Sequence, residues 1–283
     1  MPEYPDITVY IESMSRLILG QRLLSIRLIS PFFLRTVSPA IDDFTGKRLM
    51  TFERLGKRIV FVFEKEYFLI VHLMVAGRLH WKPVGTMVSR KVGLATLDFE
   101  SGCLTVTESG TKKRASLHLV ADRESLSAFD RGGINVMESS LAAFSERLLS
   151  ENHTLKRALT DPRLFDGIGN AYSDEILHAA ELSPALLTSK MKAVDIERLY
   201  HISRSQLQYW TEKLRHEAEG AFPEKVTAFR PDMAVHGKFG QPCPRCRTAV
   251  QRIRYADNET NYCPRCQTSG KLLSDRSLAR LLR

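Results

Sequence analysis

The chain has 283 residues, of which 43% are hydrophobic, and this length is enough for a substantial core and two domains. Lysine and arginine outnumber aspartate and glutamate by 41 to 32, so the net charge of +9 favours a polyanionic partner such as nucleic acid, although an anionic membrane surface would also attract it. No run approaches the roughly 18 apolar residues of a membrane-spanning helix, and the acidic start does not fit a signal peptide, so we expect a cytoplasmic protein.

The first residues, Met1-Pro2-Glu3, form a candidate active site. Removal of Met1 would leave Pro2 with a secondary amine, which can attack a sugar C1′ and leave a cationic iminium. The carboxylate of Glu3, one residue away, could move the protons that this reaction needs. A frayed and solvated chain end is the alternative interpretation of the same residues.

Apolar residues then recur at helical spacing from Ile7 to Ile18, which predicts an amphipathic helix with Asp6 as a plausible N-cap and its end at Gly20. Between Arg22 and Ala121, β-rich runs separated by turn residues predict a β-sandwich or barrel of about a hundred residues. The runs cover residues 22–30, 57–64, 67–73, 94–100, 103–107 and 115–120.

The character of the chain changes after Gly132-Gly133 from strand-like to helical. We therefore expect an N-terminal domain at 1–131, a linker at 132–138 and a helical domain at 139–235. A finger at 236–270 and a basic tail at 271–283 follow, and the tail could form one short helix.

Residues 153–184 predict two helices joined through Gly167-Ile168-Gly169, with Asn170 opening the second helix. Exposed N–H groups at a helix N-terminus favour a phosphate, and Asn170 could both cap the helix and donate its amide to the same anion. Lys156 on the preceding helix is a further candidate phosphate partner. An ordinary helical hairpin, in which the glycines serve only the turn, explains the pattern equally well.

Four of the five cysteines follow the spacing C-x2-C-x16-C-x2-C, which predicts two knuckles around one zinc ion. Four thiolates leave no open coordination position, so the zinc should be structural, and no thioredoxin-like pattern supports a redox role. The ligands are Cys243, Cys246, Cys263 and Cys266, and the polar hairpin surface between them carries Arg252, Arg254, Asn258 and Asn261. Cys103 is left over and is expected to be a small core residue.

These features, in this order, resemble the formamidopyrimidine-DNA glycosylase and endonuclease VIII family of base-excision repair enzymes. The resemblance implies an α+β protein with an N-terminal β-sandwich and flanking helices, followed by a helix-two-turns-helix domain with a four-cysteine zinc finger. The motifs that carry it are Met1-Pro2-Glu3 with Pro5-Asp6, Gly56-Lys57, His72-Leu73 with Gly77-Arg78, the segment 167–175 and the finger.

The resemblance also implies the chemistry of a DNA glycosylase with AP lyase activity, acting as a monomer on DNA in the bacterial cytoplasm. Pro2 would attack C1′ of a flipped-out nucleotide with an oxidised base or of an abasic site, with Glu3 as general acid. Lys57 resembles the lysine assigned to β-elimination and phosphate contact. His72, Lys156 and Asn170 match positions near the DNA backbone.

Several positions depart from the family pattern. Asn258 stands where the family usually has a finger arginine, which puts δ-elimination in doubt unless Arg252 or Arg254 substitutes for it. In the family, the stretch corresponding to residues 108–114 includes an aromatic residue and fills the gap that the flipped-out base leaves in the DNA. This chain has no aromatic residue there, and Arg114 is the candidate to fill the gap. Residues 219–240 are short for a base-capping loop, and Met74-Val75 replaces the usual Gly-Met.

Two other classes of protein remain in consideration. A catalytically weak, structure-specific DNA-binding protein of the same fold would explain Asn258. A ribosome-associated zinc-ribbon protein would explain the charge and the cysteines but not the N-terminus.

Overall fold

The computed structural model describes residues 1–110, 112–224, 226–227, 229–255 and 258–274, with the side chains of Tyr255 and Asn258 left out. It divides into unit 1, residues 1–131 and 211–227, and unit 2, residues 132–210 and 228–283. The sequence pattern assigned 211–227 to the helical domain, whereas Phe222 and Val226 join the core of unit 1. Among the described residues, no helix is long and apolar enough to cross a bilayer.

Unit 1 begins with helix α1, Tyr4–Ile18. Its N-cap is Glu3 rather than Asp6, because Asp6 lies in the first turn and its Oδ2 accepts the backbone N–H of Glu3 at 2.9 Å. The helix ends two residues before Gly20, which has a φ of +81°.

In the described part of unit 1, eight strands form two four-stranded antiparallel sheets. The first sheet has the order β1-β6-β7-β5 and the second has the order β2-β3-β4-β8. The strands are β1 Leu23–Leu28, β2 Leu49–Leu55, β3 Arg58–Phe63, β4 Tyr67–His72, β5 Gly77–Lys82, β6 Gly93–Phe99, β7 Gly102–Glu108 and β8 Ser116–Val120. The short helix α2, Arg123–Ser127, follows β8.

The two sheets share one hydrophobic core, as a β-sandwich requires. Phe61, Leu69 and Leu119 are register partners across β3, β4 and β8, and all three are fully buried. Leu97 and Leu104 are partners in the first sheet and belong to the same core, to which α1 adds its apolar face. The burial of alternate side chains holds both layers together.

Six of these strands lie in the predicted β-rich runs, and two, β2 and β5, do not. In β2 a register shift between Leu49 and Thr51 disrupts the alternation that marks a strand. Strand β5 is an edge strand whose one partner in the described part of the chain is β7, and it carries charged or polar residues at every second position, so it lacks a continuous apolar run.

Unit 2 contains α3 Leu141–Leu149, α4 Leu155–Thr160, α5 Asn170–Ala179 and most of α6 Ala193–Ala218. Strands β9 Gln251–Tyr255 and β10 Asn258–Tyr262 then form an antiparallel hairpin, and α7 Pro264–Thr268 follows. The N-cap of α5 is Gly169, and Asn170 is the first helical residue, not the cap. Most of the predicted tail helix, residues 275–283, lies outside the described residues.

Candidate active site and nucleic-acid interface

Pro2 and Glu3 are buried at the start of α1 in unit 1. Glu3 is only 2% exposed, and its backbone N–H is held by Asp6 as described above. The first residues are therefore packed within unit 1 and are not a solvated, frayed chain end. The positive end of the helix dipole also favours a carboxylate at this position.

Two cations influence the amino terminus, which the structure presents on Met1. Burial is the main cause that lowers the pKa of this amine, and the charges of Arg78 and Lys57 lower it further, while Glu3 and Asp6 oppose the shift. Lys57 follows Gly56, whose φ of +65° makes the turn between β2 and β3. A lowered pKa increases the fraction of neutral, nucleophilic amine near neutral pH.

Arg78 was not among the predicted site residues, although it lies in a motif that the resemblance used. Its Nη1 donates to the backbone oxygens of Val75 at 3.2 Å and Gly77 at 2.6 Å. These bonds hold its guanidinium at the start of β5. Nothing in the local sequence could have linked Arg78 to the amino terminus, because β5 reaches its place through pairing with β7.

His72 ends β4, opposite Arg58 on β3 and Ser116 on β8. Burial, followed by the charges of Arg58 and Lys57 and by His118, lowers the pKa of His72 to about 4. Burial also lowers the pKa of His118, whose ring packs against Phe129 with centroids 4.9 Å apart. The imidazole of His72 is therefore neutral at physiological pH and can donate a single N–H.

The turn after β7 is held by a buried carboxylate. Glu108 is 2% exposed, and its Oε2 accepts the backbone N–H groups of Arg114 at 2.9 Å and Ala115 at 3.0 Å. Arg114 itself is exposed and has no acidic partner among the described residues. This arrangement leaves its guanidinium available to a nucleic acid.

The first residues after α6 belong to unit 1 and pack against its other elements. The rings of Phe222 and Tyr10 have centroids 5.7 Å apart, and Glu224 pairs with both His80 and Lys82 on β5. The other ring nitrogen of His80 lies 2.9 Å from Thr107 Oγ1. These contacts hold the beginning of the segment 219–240 against α1 and β5.

In unit 2, Lys156 and Asn170 lie next to each other, as a shared phosphate site would require. Lys156 Nζ donates to Asn170 O at 2.7 Å, to Ser173 Oγ at 2.8 Å and to Asp174 Oδ1 at 2.5 Å. An ammonium has three donors, and here each has an acceptor. A phosphate would therefore have to displace one of these acceptors to bind Lys156 directly.

Asp174 and Glu175 are both buried on α5 and were predicted only as part of a motif. Asp174 Oδ2 accepts from His236 Nδ1 at 2.8 Å and from the backbone N–H of Asn261 at 3.1 Å. The carboxylate of Glu175 accepts the backbone N–H groups of residues 234–236 at 2.8 to 2.9 Å. This acidic pair ties the helix-two-turns-helix segment to the finger.

The predicted hairpin arginines share one carboxylate. Glu259 Oε2 lies 3.4 Å from Arg252 Nη1 and 3.2 Å from Arg254 Nε. Arg252 also stacks 4.1 Å above the ring of Phe239. The side chain of Asn258, predicted to contact DNA, lies outside the described residues. The hairpin therefore presents two arginines whose charge is partly compensated by Glu259.

The four predicted cysteine ligands converge, with their Sγ atoms all within 4.8 Å of one another. Cys246 and Cys263 have their Sγ atoms 3.3 Å apart, and those of Cys243 and Cys266 are 4.0 Å apart. A set of four sulfur donors suits Zn²⁺ and leaves no position for substrate, so the ion is structural. Cys103 is buried in β7 and is not part of the cluster.

Family models match most of the chain in three parts. Residues 1–127 match the formamidopyrimidine-DNA glycosylase N-terminal domain, and residues 135–214 match the helix-two-turns-helix domain of the same proteins. Residues 240–268 match the zinc finger found in these glycosylases and in IleRS.

Curated bacterial relatives resemble the chain over about half to nearly all of its length. A formamidopyrimidine-DNA glycosylase of Exiguobacterium sibiricum is 27% identical over 94% of this chain and 99% of its own length. An uncharacterised formamidopyrimidine-DNA glycosylase-like protein of Mycobacterium tuberculosis is 36% identical over 53% of this chain and 94% of its own length.

Solved structures share the fold. The Lactococcus lactis glycosylase in complex with DNA that contains FAPY-dG is 25% identical, has a TM-score of 0.83 and matches 94% of this chain and 100% of its own. The same protein in complex with DNA that contains an abasic site is also 25% identical, has a TM-score of 0.82 and matches 94% of this chain and 99% of its own.

Proposed function

Because the chain belongs to the formamidopyrimidine-DNA glycosylase and endonuclease VIII family, we propose that it is a DNA repair glycosylase that removes damaged bases and then cleaves the strand as an AP lyase. The observation that carries the proposal is the burial of Pro2 and Glu3 at the start of α1, with Arg78 and Lys57 near enough to act on the adjoining Met1 amine. Removal of Met1 would place a secondary amine at this buried position, where neighbouring cations favour its neutral, nucleophilic form.

Pro2 is the nucleophile in this proposal, once Met1 has been removed. Its nitrogen attacks C1′ of the flipped-out nucleotide, so that a C–N bond forms and the bond from C1′ to the base breaks. The proline nitrogen loses its proton, which balances the departing base, and Glu3 donates a proton to O4′ as the C1′–O4′ bond breaks and the sugar ring opens to an iminium. Loss of a C2′ proton from the resulting iminium then expels the 3′ phosphate by β-elimination, and Lys57 assists this step.

DNA with an oxidised base or an abasic site is the proposed substrate, because the Lactococcus lactis relative binds DNA of both kinds. In this proposal His72 and Asn170 contact the DNA backbone. Lys156 supports this contact through its hydrogen bond to Asn170. We assign further contacts to Arg114, Arg252, Arg254 and Asn258. The protein would act as a monomer on chromosomal DNA in the bacterial cytoplasm.

A catalytically weak DNA-binding protein of the same fold is the second candidate. Asn258 in place of the usual finger arginine favours it, and so does the pairing of Glu259 with both hairpin arginines. A neutral amide cannot neutralise a phosphate or act as the same acid. If the protein is catalytic, we therefore expect cleavage to stop largely at the β-elimination product.

Borohydride trapping on abasic-site DNA separates the two candidates. We expect a covalent complex with the protein whose N-terminus is processed, and peptide mapping should place the cross-link on Pro2. An uncleaved N-terminal tag should abolish trapping, because an acylated nitrogen has no lone pair for attack. No trapping with any lesion would favour the binder, and a cross-link on Lys57 would refute the role of Pro2.

Glu3→Gln tests the proton transfer step. The amide cannot donate or relay a proton, so base excision should be lost while DNA binding is retained. Glu12→Gln is a matched control, because Glu12 lies on the same helix but pairs with Arg215 at 2.6 Å on the surface. Equal activity of both variants would remove Glu3 from the mechanism.

A further inference from the structure

His178 on α5 lies against the zinc-binding cysteines. Its side chain is 4% exposed, and its Nε2 lies 3.3 Å from the Sγ of Cys243, which is fully buried. A zinc-bound thiolate carries no proton, so the imidazole nitrogen has to be the donor in this contact.

The contact is the last of three that one face of α5 makes with the finger region. Asn170, Asp174 and His178 are spaced four residues apart and so lie on the same side of the helix. Asn170 Nδ2 donates to the backbone oxygen of Glu259 at 2.8 Å, and Asp174 accepts the backbone N–H of Asn261. His178 extends this row from the hairpin to the metal ligands.

We propose that His178 is a positioning residue of the zinc centre, which donates an Nε2–H···S hydrogen bond to the Cys243 thiolate and anchors the first knuckle to α5. The hydrogen bond withdraws charge from the sulfur. It thereby makes the thiolate less prone to protonation, to oxidation and to loss from the metal. A histidine that only filled space would have none of these effects.

Cobalt substitution of the full chain tests the hydrogen bond. In His178→Phe the ring remains and the donor is lost, so the sulfur-to-cobalt charge-transfer band should move to lower energy, and zinc transfer to EDTA should accelerate by roughly 10- to 100-fold. His178→Gln places an N–H near the position of Nε2 and should restore both properties. His201→Phe, on the exposed surface of α6, is the matched control and should change neither.

If His178→Phe has the same charge-transfer band position and the same zinc release rate as the wild type, the proposal is overturned. If that variant does not fold, the wild-type protein decides the question after substitution with ¹¹³Cd. Scalar coupling between ¹¹³Cd and the Nε2 proton of His178 is the expected result. A proton at this position without such coupling, or no exchange-protected proton at all, refutes the hydrogen bond.

Discussion

The side chain of His72 is uncharged at neutral pH because of the groups that surround it. Burial is the largest cause of its low pKa, and Arg58, Lys57 and His118 act in the same direction. A neutral imidazole can donate a hydrogen bond to a phosphate, but it releases no counterion when it does so. His72 should therefore contribute to DNA affinity without contributing to the salt dependence of binding.

The low pKa of His72 predicts that unit 1 becomes less stable as the pH falls. The unfolded chain takes up this proton near pH 6.5 and the folded chain only near pH 4, so the contribution is complete above 6.5 and is lost as the pH falls towards 4. The loss should reach at most about 3 kcal/mol. His72→Gln should flatten the dependence of the free energy of unfolding on pH over this range.

A single reporter makes this measurement specific to unit 1. The two tryptophans are Trp81 in unit 1 and Trp210 in unit 2, so a Trp210→Phe background leaves Trp81 as the only indole. His118 titrates in the same direction, and a His72→Gln, His118→Gln double variant should be flatter still. An unchanged pH profile in His72→Gln would contradict the prediction.

Residue types were predictable at the candidate site, but their environments were not. The motifs selected Pro2, Glu3, Lys57 and His72 from residue type and order alone. The neutral state of His72 depends first on its burial and then on the charge of Arg58, which the register of β3 and β4 places opposite it. The sequence pattern also predicted Asp6 as the helix cap, whereas Asp6 lies in the first turn and its carboxylate accepts the backbone N–H of Glu3.

The hairpin of β9 and β10 has an acidic residue between its two arginines. Glu259 pairs with Arg252 and Arg254, and it also accepts from the amide of Asn261 at 2.8 Å. An approaching phosphate has to compete with this carboxylate. The net charge of the hairpin surface is therefore lower than the two arginines alone would suggest.

Glu259→Gln should strengthen DNA binding at low salt. Removal of the carboxylate leaves both guanidinium groups more positive, and we expect a gain of roughly 0.5 to 1 kcal/mol, about three-fold in affinity. The slope of log affinity against log salt should become steeper by up to about one for each arginine that gains a phosphate. Titration of duplex DNA at several salt concentrations measures both quantities.

Glu181→Gln is the matched control for this prediction. Glu181 pairs with Arg245 in the first knuckle, so the variant makes the same change in net charge away from the hairpin. A gain of the same size in both variants would indicate a general charge effect. Weaker binding of Glu259→Gln would mean that the carboxylate orients the arginines rather than competing with the phosphate.

At the scale of elements, the sequence predicted those that bury a continuous apolar pattern. The helix α1 and six strands of unit 1 have such a pattern, whereas the finger was predicted from the spacing of its four cysteines. The bulged strand β2 and the polar edge strand β5 do not have such a pattern, because a register shift interrupts the alternation in β2 and the place of β5 depends on its pairing with β7. The long α6 was predicted, but the contribution of its last turns to unit 1 was not.

The whole molecule combines a hydrophobic β-sandwich with a unit whose finger depends on a metal. Unit 1 has a large core of its own, whereas the apolar cluster around the finger consists of Val235, Val250 and Cys residues with Ala234 at its edge. So small a cluster cannot stabilise a fold by burial alone. Zinc binding supplies the missing free energy.

Cys263→Ser should therefore release the zinc and unfold the finger while unit 1 stays folded. Cys263 is separated by one residue from Asn261, whose backbone N–H binds Asp174 and whose Oδ1 accepts the N–H of Gly237 at 2.6 Å. Loss of the knuckle should disrupt these bonds, release the hairpin from α5 and weaken DNA binding by more than about ten-fold. Metal analysis, DNA titration and Trp81 fluorescence measure the three effects.

Cys103→Ser provides the control, because Cys103 is buried in the sandwich and does not belong to the cluster. It should keep one zinc per chain and normal DNA affinity, although it changes a core residue. The midpoint temperature of the unfolding transition that Trp81 reports should change in Cys103→Ser and remain the same in Cys263→Ser. A Cys263→Ser protein whose Trp81 transition is lost would mean that unit 1 needs the metal for its own stability. In that case the burial of its core, large as it is, would not be enough to hold the β-sandwich.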